Sequence, residues 1–157
     1  MRIAAFLILM LVAIGYALRK GGGPERAMAF IAMTMIASDQ ALHLLIPPEY
    51  ASLDIGHLAI DLFGASSTMF LALIAYRFWP MIAAALHILP LLGHLSRYFD
   101  IALHPAAYLS MQVASSWPVA PLLIVATWRH QHRIRQSGSD QSWRSSSPSS
   151  IQHTANP

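Results

Sequence analysis

Residues 27–46, AMAFIAMTMIASDQALHLLI, and residues 54–79, DIGHLAIDLFGASSTMFLALIAYRFW, decide the fold of this chain. Each is an apolar run of the length an α-helix needs to cross a hydrocarbon layer of about 30 Å, roughly 20 residues. Each also carries an Asp and a His one helical turn apart. The first run is closed by Pro47-Pro48, which lack backbone donors and turn the chain.

Working outward, three more apolar runs appear, at residues 3–18, 81–99 and 106–128. The first stops at Arg19-Lys20-Gly21-Gly22-Gly23-Pro24-Glu25-Arg26, whose glycines and charges read as a loop. Only the corner Arg77-Phe78-Trp79-Pro80 divides the run 54–79 from the run 81–99, so those two helices are expected to be antiparallel neighbours. The expectation is an all-α, polytopic transmembrane helix bundle of five spans, occupying residues 1–128. From Arg129 to Pro157 the chain holds eight serines and few apolar side chains, so a disordered, basic, Ser-rich cytoplasmic tail is expected.

Composition agrees with that medium. Of 157 residues, 55% are hydrophobic and 11% charged, with a mean hydropathy of +0.48, far from the balance of a water-soluble domain. The absence of cysteine excludes a disulfide framework, thiolate zinc sites, a thiol nucleophile and covalent c-type haem. The net charge of +3 sits at the edges of the apolar runs rather than on one folded face, which argues against nucleic acid and for the lipid bilayer as partner. A chain this small encloses little volume, so association with itself or with other membrane subunits is expected too.

Orientation follows from the side on which Lys and Arg fall. Five spans with the tail inside put Arg19, Lys20, Arg26, Arg77, Arg129, Arg133, Arg135 and Arg144 in the cytoplasm, against Arg2 and Arg97 outside. The expected localisation is the cell (inner) membrane, N-terminus outside and C-terminus cytoplasmic. Trp79 and Trp128 then mark the inner interface, and Tyr50, Tyr98 and Tyr108 the outer. The stretch from Trp128 to Arg135 reads as a basic anchor on the inner leaflet, each cation contributing about 1 kcal/mol near anionic lipid.

Asp39 and Asp61 stand out, because a carboxylate mid-membrane costs roughly 2.5 to 3.5 kcal/mol on insertion scales. Asp39 and His43 are spaced i,i+4, as are His57 and Asp61, so each pair shares a helix face. In an antiparallel hairpin centred on Tyr50, Asp39 is level with Asp61 and His43 with His57. His94 reaches a similar height on the next span, and Gln112 on the last. Asp39, His43, His57, Asp61 and His94 are therefore the candidate metal ligands, in a cluster toward the outer face of helices two to four.

Imidazole and carboxylate donors suit zinc, iron or manganese. With an open position on zinc, bound water becomes a nucleophile near neutral pH, which makes a metal-dependent membrane hydrolase the sharpest enzymatic reading, although the balance of the sequence leans away from an enzyme. Other readings stay open: Asp and His as interhelical hydrogen-bond glue in a structural or assembly subunit, a proton or ion pathway, or b-type haem held by two imidazoles, with Gly56 and Gly93 beside His57 and His94. Gly56, Gly64 and Gly93 fit close helix contacts at least as well. Pro90, Pro118 and Pro121 each remove a donor and are expected to kink their spans. No phosphate-cradling glycine loop, serine-hydrolase elbow or HExxH helix is present, so no motif names an activity.

Overall fold

The structure is a computed structural model and describes residues 2–45, 55–99, 101, 111 and 116–144. These residues form five helices and no strand: α1 Arg2–Lys20, α2 Gly23–Leu45, α3 Ile55–Ile74, α4 Trp79–Tyr98 and α5 Val119–Ser137. Helix α1 lies between α2 and α5, and α3 lies between α2 and α4, while α5 also reaches α2 and α4. The α3–α4 neighbours expected from the short Arg77–Pro80 corner are the most extensively packed pair.

What holds the helices together is small. Ala13, Ala17, Ala29, Ala83 and Ala120 are all but fully buried, with Met28 and Leu123 filling the gaps between them. The large apolar side chains face outward instead: Ile8, Leu44, Phe70 and Leu73 are each more than 60% exposed. Small residues let helix backbones approach closely, and bulky ones outside suit a lipid environment. Gly64 shows the same logic, since a Cβ there would lie 2.6 Å from the Met35 sulfur and 3.1 Å from the His87 ring.

Three helices, α2, α3 and α4, are long and apolar enough to cross a membrane. The two outer members of the expected five are not shown to be spans. The uncharged run of α1 is shorter than the roughly 20 residues a bilayer core takes. Helix α5 is apolar only to Trp128 and then turns basic. Of the expected span 106–128, the residues before Ser116 other than Met111 lie outside the described residues. Pro118 occupies the N-cap of α5 and Pro121 its first turn, where a missing donor costs nothing, so neither kinks a helix interior. Pro90 does sit inside α4.

The expectation of a disordered tail from Arg129 is corrected. Helix α5 continues to Ser137 and ends at Gly138, whose φ of +69° lets its N–H turn back to the Ile134 carbonyl at 2.9 Å. The chain then folds back on the α3–α4 corner. Tyr76 N–H donates to the Ser142 carbonyl at 3.1 Å and Arg144 N–H to the Ile74 carbonyl at 2.9 Å, pairing Ala75 with Trp143 in antiparallel fashion. Low hydrophobicity prevents a segment from building its own core, but this one needs none. It docks on a core already made, through backbone pairing, the Trp143 ring over Gly23, and one buried carboxylate, Asp140. Residues 145–157 of the expected tail lie outside the described residues.

Candidate metal centre

Helix α2 delivers Asp39 and His43 near its C-terminal end, and α3 delivers His57 in its first turn. Each of the three offers a ligand atom, and those atoms lie within 4.8 Å of one another. Asp39 Oδ1 is 3.4 Å from His57 Nε2, and Asp39 Oδ2 is 3.7 Å from His43 Nδ1. The two imidazoles meet edge to face with centroids 5.1 Å apart, so the expected level placement of His43 and His57 holds. His43 Nδ1 also lies 2.8 Å from the Asp39 backbone carbonyl. As the carbonyl can only accept, Nδ1 is the donor in this contact, and in the neutral ring Nε2 is then the nitrogen that carries the lone pair.

The position of this trio explains how the fold tolerates it. His43 and His57 each lie two residues from a helix end, about 3 Å along the axis, and Asp39 about 9 Å. The side chains of Asp39, His43 and His57 remain 39%, 43% and 30% exposed, so the carboxylate is not sealed away from a polar medium.

The remaining two predicted ligands go elsewhere. His94 on α4, 4% exposed at its side chain, has Nε2 3.0 Å from Asp61 Oδ2 on α3. The sequence level places Asp39 with Asp61, yet the carboxylates do not pair; each finds a histidine from a neighbouring helix. Helix rotation makes this choice, and i,i+4 spacing does not fix rotation. Asp61 stays one turn from His57 on α3, so the five residues form a row across three helices, His43–Asp39–His57 and then Asp61–His94. Gln112 lies outside the described residues.

The opposite end of the bundle carries a second charged cluster that sequence reasoning missed. Asp140, 5% exposed, accepts from Arg133 Nε at 2.9 Å and contacts His130 Nδ1 at 2.5 Å. Arg77 Nη2 approaches the same carboxylate at 2.5 Å as an ion pair off the line of a hydrogen bond, while Arg77 Nε is buried without a partner. Burial acts to raise the Asp140 carboxyl, but the hydrogen bonds from Arg133 and His130 and the charges of Arg77 and Arg133 outweigh it and hold it below its ordinary value. Beside it Glu25, fully buried, accepts from Gly22 N–H at 3.1 Å and from the Trp79 indole at 3.3 Å, the return half of a capping box on α2. Trp79, expected as an interfacial ring, is thus tied inward. One signal was available: Asp140 is the single acidic residue after Asp100, set among arginines.

Among known proteins, the chain matches no family model, no curated relative and no solved structure at a significant level.

Proposed function

We propose that this is a five-span integral membrane protein, N-terminus outside and C-terminus cytoplasmic, whose Asp39, His43 and His57 bind one divalent transition ion, zinc, iron or manganese, at the outer end of α2 and α3. The observation that carries the reading is the donor spacing. Two ligands about 2.0 to 2.1 Å from a tetrahedral zinc ion stand roughly 3.3 Å apart, and Asp39 Oδ1 and His57 Nε2 stand 3.4 Å apart. The Nδ1–H of His43 on a backbone carbonyl is the outer contact that fixes a ligating imidazole in the tautomer a metal needs. Three protein ligands leave a coordination position for water. The edge-to-face contact of the two rings leaves no slot between them for a flat macrocycle, which favours an ion over haem.

A second reading applies to Asp61 and His94, whose 3.0 Å contact within the α3–α4 interface supports interhelical hydrogen bonding rather than ligation. The membrane reading is supported by the small-inside, large-outside packing and the distribution of Lys and Arg.

Elemental analysis of the detergent-purified protein after equilibration with each ion tests the centre. Near-stoichiometric metal in the wild type and in His94→Leu, lost in Asp39→Asn and His57→Ala, is the expected result. Substoichiometric metal in the wild type with every ion refutes it. Because the chain has no cysteine, Leu45→Cys and Arg144→Cys report topology by labelling of intact cells: the first is expected to react with an impermeant maleimide and the second only after lysis.

A further inference from the structure

Two faces of α5 differ in a way that the metal centre does not use. His130 and Arg133 point to one side and both contact Asp140. Trp128, Gln131, His132 and Arg135 fall on the opposite side of the same two turns and, with Tyr16 and Lys20 of α1, line a cleft of about 150 Å³. Acidic side chains are absent from its lining, and neither Lys20 nor Arg135 forms an ion pair with a described carboxylate. The Gln131 amide donates to the Lys20 carbonyl and closes the floor, and the Trp128 ring steadies His132 with centroids 5.8 Å apart.

The order of side chains along the two helices is the same. Both run toward the cytoplasmic end, and on each an aromatic ring precedes a nitrogen donor by one turn: Tyr16 then Lys20, Trp128 then His132, with the Arg135 guanidinium beyond. One turn is about 5.4 Å, so the rings occupy one layer and the cations the next. In a membrane interface, Trp and Tyr sit at the headgroup boundary and Lys and Arg reach the phosphates.

We propose that this cleft binds the phosphate of one anionic phospholipid headgroup, with Lys20 and Arg135 as its charge partners, His132 as a further donor, and Tyr16 and Trp128 flanking the glycerol end. The inference rests on the membrane-spanning reading, which supplies the lipid.

The test is native mass spectrometry of the full chain released from neutral detergent after titration with phosphatidylglycerol or phosphatidylcholine. A single saturable phosphatidylglycerol adduct is expected, weakened about 5-fold by Lys20→Ala and about 25-fold by Lys20→Ala with Arg135→Ala. The charge-keeping pair Lys20→Arg with Arg135→Lys retains binding, and Arg26→Ala, an exposed cation outside the cleft, leaves it unchanged. Equal weakening by Arg26→Ala and Lys20→Ala, or equal binding of phosphatidylcholine, overturns the proposal in favour of diffuse attraction. Displacement of the adduct by millimolar inorganic phosphate or glycerol 3-phosphate overturns it in favour of a soluble phosphate. A chain that inserts into phosphatidylcholine nanodiscs yet shows no anionic preference ends this inference alone; a chain that stays dissolved without detergent ends the spanning reading with it.

Discussion

Asp140→Asn removes one charge from the centre of the cluster at the α3–α4 corner while keeping the shape of the side chain. In the native fold that carboxylate, 5% exposed, faces Arg77 at 9% and His130 at 8%, and Arg133 at 33%. Stripping the counterion from a buried pair typically costs about 3 to 5 kcal/mol, because the surviving charge keeps its desolvation penalty. Arg133, 33% exposed, can swing into water, whereas Arg77 is only 9% exposed. The low end of that range, about 3 kcal/mol, is therefore the expected loss. Arg77→Met gives the internal comparison. It leaves Asp140 with Arg133 and His130 and replaces a buried cation by an apolar chain of similar length, so it should cost less than half as much. Reversible unfolding in mixed micelles, followed by helix content, measures both. The reasoning fails if Asp140→Asn costs under about 1 kcal/mol, the worth of a solvent-exposed pair, or if Arg77→Met is the more damaging of the two.

Three further outcomes follow from the same geometry. Gly21→Ala should be destabilising, since its Cβ would lie 2.5 Å from the Ala17 carbonyl oxygen, whereas Gly15→Ala meets nothing within 4 Å and should be neutral or stabilising by up to about 1 kcal/mol; unfolding midpoints of the two variants compare them directly. Because the Asp140 carboxyl is held below its ordinary 3.8, the stability it contributes is complete above that pH and is lost as pH falls through its lower native value; an acid titration of unfolding in wild type and Asp140→Asn should therefore converge only below pH 3.8. His94→Leu strands the Asp61 carboxylate between α3 and α4 and should cost about 1 to 3 kcal/mol in the same unfolding assay.

Much of this architecture was legible in the sequence, and the reasons are physical. Length and hydropathy of an apolar run set a helix, and a four-residue corner with Pro80 forces antiparallel neighbours, so residue order alone was enough to place α3 against α4. The level meeting of His43 with His57 followed from counting away from Tyr50. The partner of Asp61 was not legible, because which face a helix turns inward depends on packing of residues such as Gly64 and Met35. The folded-back segment was illegible for a different reason. Composition reports whether a stretch can bury itself, and Gly138–Arg144 instead borrows a surface prepared by the α1–α2 turn and the α3–α4 corner. Glu25 was hidden in the same way: its neighbours in sequence look like a charged loop, and only the fold brings Trp79 to it.

Arg77 has two histories in one molecule. While the polypeptide is being synthesised, the bend that carries it is made long before Asp140 is, so the guanidinium begins without that counterion. Only when the segment after α5 has been made can the Asp140 carboxylate reach the guanidinium and pair with it. A side chain that starts without its counterion thus becomes a fastener in the finished bundle, and this end locks late in the making of the chain.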